Sequence, residues 1–358
     1  MTMPIDDLMG SGDNDGSGRD STTKEKRRRR RNRIILLTVL AMLLGIVVAV
    51  AGGGLWLVNR YLGAGNIERI PNAFDIPETD RPSETTKDSL TILLGGLDGG
   101  TVVDDDQPGA ARTDTIMMVH FPEGRDRGYV VSIPRDTYID IPGHGPNKIN
   151  AAYSFGGPAL FVQTVEQLTD LRMDHLMLID WTGFTGLTDA VGGVPMEFSE
   201  TTILNDGSEL PPGRHVLDGE QALEYVRVRK SLPNGDFDRV KRQQNFLRSL
   251  MNEVIANGRI SSFGRVTDIA DAVGDAVRVD ENLSALDMAR MAWSMRDLRA
   301  GDVTFLTVPT RGTGRAGQQS IVNYDDALAT ELWTALAEDE MNAFLAENAE
   351  LVTGEQVR

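Results

Sequence analysis

Hydrophobic and polar positions divide this chain into one long apolar run near the N-terminus and a series of short apolar segments after residue 88. Residues 34–58 contain no charged side chain, and the basic tract Arg27 to Arg33 directly precedes them. At about 1.5 Å of rise per residue this run reaches about 37 Å, enough to cross a hydrocarbon core of about 30 Å. The pattern predicts a single transmembrane helix with a cytoplasmic N-terminus, because basic residues stay on the cytoplasmic side.

A cleaved signal peptide is the alternative interpretation of this run, since Ala49-Val50-Ala51 resembles a cleavage site. Against it, the segment before the run is long, and the run continues through Leu55 to Val58 beyond the cut. An uncleaved anchor is therefore the prediction. Everything after Val58 is then expected on the outer side of the cytoplasmic membrane. The chain is therefore predicted to be a single-pass protein of the cell membrane.

The rest of the pattern predicts one folded domain with less structured segments on both sides. Residues 1–33 are expected to be a disordered cytoplasmic tail, because they are too poor in apolar residues to fold. Residues 59–87 are rich in proline and are predicted to be an extracytoplasmic linker. Residues 88–340 are expected to form the folded domain, and residues 341–358 a C-terminal tail.

Strand and helix patterns alternate from residue 88 onward, which predicts an α/β layer fold. Buried strands are predicted at 90–94, 115–121, 129–133 and 176–179. Helices are predicted at 158–171, 184–191, 218–227 and 238–257. Asp218 and Gln221 have the spacing of a capping box at the start of the third of these helices.

Charge is distributed unevenly and excludes several classes of function. The net charge is +3 over residues 1–33 and −20 over the remainder, for a total of −17. A strongly acidic exterior argues against a broad polyanion-binding surface, so no nucleic-acid partner is expected.

The chain has no cysteine, and its four histidines show no ligand spacing, which disfavours zinc. Walker, G-x-S-x-G and H-E-x-x-H motifs are absent from the sequence.

Five short runs of charged and polar residues stand out against the apolar pattern, and each adjoins a predicted strand or helix. They are Arg112 to Asp114, Ser132 to Asp136, Lys148 to Asn150, Arg227 to Arg229, and Asp238 to Gln244. Guanidinium groups suit planar, bidentate recognition of phosphate, and nearby carboxylates suit a hard divalent cation. Because the domain is acidic overall, these motifs are expected to form a local pocket that binds a pyrophosphate.

The last run has a helical spacing, since Arg239, Arg242, Gln243 and Phe246 fall on one face of the predicted helix. Basic residues at a helix N-terminus oppose the macrodipole, and a bound anion would resolve this conflict. In the alternative interpretation, Asp238 and distant carboxylates pair with these arginines.

Asp98 and Asp114 are candidate ligands for a metal ion, because each lies at the end of a predicted strand. Mg²⁺ typically takes one or two carboxylates together with phosphate oxygens and water. The alternative is that both are ordinary turn or cap residues. Mg²⁺, or Mn²⁺ in its place, is the expected cofactor.

The order of the motifs closely resembles that of the LytR-CpsA-Psr family. It comprises L-L-G-G-L-D, R-T-D-T-I-M-M, S-I-P-R-D-T, N-K-I-N-A-A-Y, L-D-G-E-Q-A-L-E-Y-V-R-V-R and D-F-D-R-V-K-R-Q-Q. The resemblance covers about Ser89 to Ala256, and a later strand at Val303 to Pro309 with a helix at 325–338 looks like the end of the same domain. The amino-terminal anchor also matches.

The resemblance implies a three-layer α-β-α sandwich and a transferase of cell wall biogenesis. The implied reaction moves a phosphoglycopolymer of arabinogalactan, teichoic acid or capsule type from a polyprenyl-pyrophosphate carrier to a peptidoglycan hydroxyl and releases polyprenyl phosphate. An apolar slot for the lipid is expected between strands and helices rich in Met, Leu and Phe.

The resemblance also assigns roles to residues of this chain. Asp98 and Asp114 would hold Mg²⁺ on the pyrophosphate. The residues that would contact or orient the phosphates are Arg112, Arg135, Lys148, Arg227, Arg229, Arg239, Arg242 and Gln243. The catalytic set would be Arg135, Asp136, Arg227 and Arg229, with Asp136 either a base or an orienter of Arg135. The acidic stretch Val103 to Gln107 departs from the family pattern, because it lengthens the loop between Asp98 and Asp114.

Two other functions are compatible with the same motifs. A Mg²⁺-dependent lipid-pyrophosphate hydrolase would use the same arginines with water as the nucleophile. A membrane-tethered envelope regulator would use the pocket for sensing.

Overall fold

The structure is a computed structural model that describes residues 67–84, 88–98, 112–228, 232, 235–260, 276–295 and 297–354. The predicted cytoplasmic tail and the predicted transmembrane helix at 34–58 lie outside these residues, as does Arg229. Within the described ranges, no helix has the length and apolar character needed to cross a membrane.

Strands and helices alternate along most of the described chain. The strands are β1 (Arg69–Ile70), β2 (Leu90–Asp98), β3 (Arg112–Phe121), β4 (Gly128–Ser132), β5 (Thr137–Ile141), β6 (Gly145–Lys148), β7 (His175–Ile179), β8 (Val194–Phe198), β9 (Thr202–Ile203), β10 (Glu209–Leu210), β11 (Gly213–Leu217), β12 (Val277–Asp280), β13 (Val303–Thr307), β14 (Thr310–Ala316) and β15 (Gln319–Tyr324). The α-helices are α1 (Ala151–Thr169), α2 (Trp181–Ala190), α3 (Gly219–Arg227), α4 (Asp236–Ile260), α5 (Ala285–Ser294), α6 (Asp326–Glu338) and α7 (Met341–Glu347).

A seven-stranded mixed sheet forms the centre of the fold, with the order β1-β12-β7-β2-β3-β4-β13. The pairs β2–β7 and β4–β13 are parallel, whereas β2–β3 and β3–β4 are antiparallel. The four strands predicted from apolar runs are β2, β3, β4 and β7, and all lie next to one another in this sheet. The predicted α/β class is thus confirmed as a mixed α/β fold.

Helices pack on both faces of the central sheet. Successive side chains of a strand point to opposite faces, so strands that are apolar throughout present an apolar surface on each side. Leu93, Met118 and Val131 belong to a buried cluster that also contains residues of α1, α6 and α7. Met117 and Phe305 point the other way and belong to a second cluster with Leu247 and Met251 of α4. The sheet therefore has a helical layer on each side.

The folded part extends beyond the predicted boundaries at 88 and 340 in both directions. Ile70 and Ala73 are buried in the main core, and β1 forms the edge of the sheet by pairing with β12. Met341 and Phe344 of α7 are buried in the same core. These apolar side chains contribute to the core, so the linker and tail predicted on either side are shorter than their sequence composition suggested.

Glycines and caps set the helix limits. α1 begins at Ala151, seven residues before the predicted start, and is interrupted by non-helical backbone at Gly156 and Gly157, after which Pro158 opens its second segment. The predicted capping box of α3 is present: the Asp218 carboxylate accepts from the backbone N–H of Gln221, and the Gln221 side chain accepts from that of Asp218.

A second sheet, which the sequence pattern did not predict, has the order β14-β15-β5-β6. Its strands are short and largely polar, so they lack the apolar signal of the central sheet. The backbone N–H of Val322 donates to the carbonyl of Asp136 (2.8 Å), and Lys148 pairs with Tyr138. This sheet therefore positions Asp136 and Lys148, which belong to two of the polar motifs.

Candidate functional site

A β-bulge places Asp114 at the centre of the site. Thr115 lies opposite Gly96 and Thr113 lies opposite Leu97, so Asp114 is the additional residue between them. A bulge redirects a side chain relative to the regular alternation of a strand. The Asp114 side chain is 5% exposed, so its carboxylate lies inside the protein and requires a partner.

Arg135 is that partner and joins three carboxylates. Its Nη1 donates to Asp114 Oδ2 (2.5 Å), and its Nε lies 3.8 Å from Asp236 Oδ1 and 4.0 Å from Asp136 Oδ2. Burial acts to lower the pKa of Arg135, but the hydrogen bond to Asp114 and the three carboxylates outweigh it and raise the pKa. The guanidinium is thus held charged in a fixed orientation.

Asp136 links Arg135 to the second sheet. Its Oδ1 accepts an ion-pair contact from Lys148 Nζ at 2.9 Å, while its other oxygen faces Arg135. A carboxylate that contacts two cations is well placed to orient them. Of the two roles left open for Asp136, this geometry favours the orienter.

The first turn of α4 differs from the prediction. The helix begins at Asp236, so Asp238 lies inside its first turn and is not the cap. Two acidic residues in this turn complement the helix macrodipole. The Arg239 guanidinium pairs with Asp236 (2.7 Å) and donates to the carbonyl of Asp114 (3.4 Å). The predicted conflict between arginine and macrodipole is therefore relieved at Arg239 by Asp236, a carboxylate that neither interpretation named.

The predicted face of α4 is confirmed and points into the protein. Arg239, Arg242, Gln243 and Phe246 are 2%, 6%, 9% and 1% exposed. The Arg242 guanidinium lies over the ring of Tyr225, 4.9 Å from its centroid, and burial lowers the pKa of Arg242. Such burial of two arginines is costly unless their donors are satisfied.

Several buried polar atoms of Arg135 and of the first turns of α4 make no hydrogen bond within the described residues. Among them are Arg135 Nε, Arg242 Nη1 and Asp236 Oδ2. Buried donors in folded proteins are nearly always paired, and an anionic oxygen is the acceptor that a guanidinium binds most strongly. The two arginine donors therefore suit a phosphate oxygen.

An apolar cavity of about 240 Å³ adjoins the charged network. Its walls include Met117, Met177, Phe184, Phe246 and Leu250. The polar side chains that line the cavity include Asp180, Gln243 and Thr115, which follows Asp114 in the chain.

Arg227 lies at the same cavity. Its guanidinium stacks on Trp181 at 5.4 Å from the ring centroid, and Trp181 lines the cavity. Arg227 is exposed, so it can contact a ligand without a change in the core. An anionic group attached to an apolar chain would match this combination of surfaces.

The structure brings together six of the charged residues named above: Asp114, Arg135, Asp136, Lys148, Asp236 and Arg239. Its described contacts do not join Arg112 or Arg227 to this network. Arg112 is exposed, and in the strand register of β2 and β3 it lies opposite Asp98. The Asp98 side chain and the whole of Arg229 are outside the part of the chain that the structure describes.

Sequence reasoning missed Asp236, Trp181 and Tyr225. Asp236 precedes Arg239 by three residues, the spacing of a helical ion pair, and this signal could have identified it. The two aromatic residues have no such local signal, because they meet their arginines through tertiary packing.

The donor set fits a magnesium ion in part. Asp114 is a fixed carboxylate, and Asp98 lies at the end of the adjacent strand, opposite Arg112. The described residues contain no group of three or more His, Cys, Asp or Glu side chains that could hold a metal. Mg²⁺ needs fewer protein ligands when phosphate oxygens and water complete its shell.

The two glutamines that follow Arg242 have different roles. Gln244 is fully buried: its Nε2 donates to Ser132 Oγ and to the Leu306 carbonyl, both at 2.7 Å, and its Oε1 accepts from Thr353. Gln244 therefore fixes α4 to β4, β13 and the C-terminal segment. Gln243 instead lines the cavity.

Gln244→Leu is expected to destabilise the protein by about 3 kcal/mol, because it leaves several buried polar groups unpaired. Gln243→Leu is the matched control: it should melt near the parent temperature, since it replaces a side chain that lines an apolar cavity. Thermal unfolding checks both variants. Equal melting temperatures for the two would contradict this division.

The fold and site together define a mixed α/β protein with a network of paired charged residues beside an apolar cavity. A model of the LytR_cpsA_psr family matches residues 68–338. The chain belongs to this family, which confirms the resemblance of its motifs.

Relatives of known name share this domain. The chain is 35% identical over 243 residues to the cell wall biosynthesis protein LcpA of Corynebacterium glutamicum, which covers 60% of this chain and 46% of LcpA. It is 32% identical over 281 residues to the polyisoprenyl-teichoic acid–peptidoglycan teichoic acid transferase TagU of Oceanobacillus iheyensis, which covers 75% of this chain and 83% of TagU. The chain thus spans less than half the length of LcpA and most of TagU.

A solved structure of TagT bound to LI-WTA is also similar. Its TM-score is 0.58 at 26% sequence identity, and the match covers 73% of this chain and 95% of TagT.

Proposed function

We propose that this protein transfers a phosphoglycopolymer from a polyprenyl-pyrophosphate carrier to a hydroxyl group of peptidoglycan and releases polyprenyl phosphate. The observation that carries the proposal is that Arg135 and Arg242, beside an apolar cavity, each have a buried donor that makes no hydrogen bond within the described residues. The donors match a pyrophosphate, and the cavity matches the lipid attached to it. The name of the TagU relative supports the same carrier and acceptor.

The reaction requires positioning and charge stabilisation. A peptidoglycan hydroxyl attacks the phosphorus on the glycan side, the bond to the bridging oxygen breaks, and polyprenyl phosphate leaves. Arg135, Arg239 and Arg242 are already held in place, so they can neutralise the charge that develops on the phosphate oxygens without reorganisation. The pyrophosphate bond supplies the driving force, so the reaction needs no ATP.

Different surfaces around the charged site would bind different parts of the substrate. The apolar cavity between β2, β3, α2 and α4 would hold the first part of the polyprenyl chain, with Gln243 and Thr115 at its boundary with the phosphates. Arg227 would contact the phosphates from the Trp181 side of the cavity. Lys148 and Asp136 lie on the side of the second sheet, where the acceptor hydroxyl would approach.

Magnesium is part of the proposal. Asp98 and Asp114 would hold the ion, which when bound would neutralise charge on the pyrophosphate oxygens. Arg135 keeps the Asp114 carboxylate in position for this purpose through their 2.5 Å hydrogen bond.

A membrane location outside the cytoplasm also belongs to the proposal, because the basic tract precedes the predicted span at 34–58. Protease added to intact spheroplasts should digest the folded domain, while a cytoplasmic control protein survives. Protection of the domain under conditions that cleave an outward-facing control would contradict this topology.

The proposal is tested by supplying lipid-linked glycan and peptidoglycan fragments to the full-length protein and identifying the product by mass. A hydrolase with the same site would release product without an acceptor. A regulator would leave wall assembly intact when Arg135 and Arg227 are replaced.

A further inference from the structure

The outer surface of α5 exposes large apolar side chains. Leu286 is 51% exposed and Trp293 is 70% exposed, which makes Trp293 the most exposed large hydrophobic residue in the part of the chain that the structure describes. Leu286, Arg290 and Trp293 are spaced i, i+4 and i+7, so they share one face of the helix. A short helix with leucine and tryptophan on its solvent side has the character of an interfacial helix.

The inner surface of the same helix is continuous with the substrate cavity. Met291 belongs to a packed cluster that contains Leu94 and Met177, and both of these residues line the cavity. Met288 belongs to a neighbouring cluster with Val277, a third residue of the cavity wall. α5 therefore lies between the wall of the cavity and the surface of the protein.

The first described residue of the chain packs against α5. Ile67, the first described residue, is 8% exposed and packs in one cluster with Met288 and Met291. Nine residue steps separate it from Val58, the end of the predicted span, and these extend at most about 30 Å. If the span is in the membrane, this length is the upper limit on the distance between its outer end and Ile67.

We propose that the outer face of α5 docks on the surface of the lipid bilayer, with Leu286 and Trp293 inserted at the interface. Tryptophan is the residue enriched at this depth of a membrane. This inference rests on the membrane location in the proposed function. Docking here would bring the wall of the cavity to the bilayer, so a polyprenyl chain could pass between lipid and protein over a short distance.

Charge indicates how this surface binds. Arg290 is 69% exposed but pairs with Asp287 at 3.0 Å, so the patch is not strongly basic. Association therefore depends on burial of apolar side chains, and it should change little with the fraction of anionic lipid.

The absence of cysteine from the sequence makes a direct test possible. Nitroxide labels are placed at Leu286→Cys and Trp293→Cys in the full chain, with Val216→Cys as a control. Val216 on β11 is 58% exposed and outside the clusters that contain α5. Each protein is reconstituted in nanodiscs with one copy and, separately, with two copies per disc, in neutral and in partly anionic lipid. Collision of the label with oxygen, which concentrates in the bilayer, is compared with collision with a water-soluble nickel chelate.

The labels at 286 and 293 should show an oxygen-to-nickel ratio several-fold higher than the label at 216, in both lipid compositions. A ratio equal to that at 216 overturns the proposal. So does shielding from both reagents, which would show that protein covers α5, or dipolar broadening confined to discs with two copies, which would show a dimer interface.

A functional readout separates this inference from the proposed activity. Trp293→Gln should lower transfer from a bilayer-embedded carrier about tenfold, because it loses an apolar side chain at the interface, and leave transfer from a short water-soluble carrier unchanged. Equal losses with both carriers would contradict docking. If the parent protein transfers from neither carrier, the proposed function fails, and the label measurements still decide whether α5 contacts lipid.

Discussion

Replacing Arg135 with alanine is expected to lower glycan transfer at least ~100-fold, since an unneutralised phosphate charge in the transition state costs on the order of 3 kcal/mol. The same change should destabilise the fold. Arg135 contacts Asp114, Asp136 and Asp236, and its loss would leave the buried Asp114 carboxylate without this cation. Breaking a buried ion pair costs about 3–5 kcal/mol.

Arg135→Lys separates these two effects. Lysine keeps a positive charge beside Asp114, so most of the stability should return, whereas the bidentate fork for phosphate is lost. Transfer by this variant should stay far below that of the parent while its melting temperature lies close to it.

Arg227→Ala is the complementary variant. Arg227 is exposed and stacks on Trp181, so its removal should hardly change the melting temperature but should lower transfer about 100-fold. Arg311→Ala, which removes a 62% exposed arginine paired with Asp325, serves as a control with near-normal transfer. Near-normal transfer by Arg135→Ala and Arg227→Ala together would show that the phosphates bind elsewhere.

The second large effect is expected at the metal. If Asp98 and Asp114 share one Mg²⁺, their losses should be strongly non-additive. Asp98→Asn, Asp114→Asn and the double variant should fall to a similar residual rate, and chelation should bring the parent to that level. Asp114→Asn also loses its charge pair with Arg135, so its stability is measured separately.

Binding provides a readout of the metal that does not depend on transfer. Mg²⁺ held by Asp98 and Asp114 should tighten binding of a polyprenyl pyrophosphate far more than that of a monophosphate, because it would neutralise the larger charge of two phosphate groups. Equal enhancement for both lipids, or defects that multiply in the double variant without a response to chelator, would leave the arginines as the whole site.

Four adjacent strands of the central sheet, β2, β3, β4 and β7, could be predicted because they carry runs of Val, Ile, Leu and Met. The edge strands β1 and β12 are short and were not predicted. The second sheet could not, since β6 and β14 are polar, and its two hairpins are joined only by the pairing of β15 with β5, which lie far apart in the sequence. The position of Asp114 also depends on strand pairing. The bulge that turns it inward arises from the register of β3 against β2, which no local pattern encodes.

Of the predicted cations, Arg135, Lys148 and Arg239 come together in one network, and the sequence did not indicate how carboxylates balance their charge. The motifs suggested arginines in excess, whereas Asp236 pairs with Arg239 and Asp136 pairs with Lys148. Burial explains the difference, because a cation in the interior requires a carboxylate in the absence of a ligand. Asp236 was overlooked because the helix was expected to begin at Asp238, two residues later.

Mass analysis of the transfer reaction tests the central claim most directly. The full-length protein is incubated with a lipid-linked glycan and Mg²⁺, with and without peptidoglycan fragments. The account predicts a fragment that carries the glycan through one phosphate, together with polyprenyl phosphate, only when the acceptor is present. Cleavage of the lipid pyrophosphate at the same rate without acceptor, and no modified fragment with it, would contradict the account.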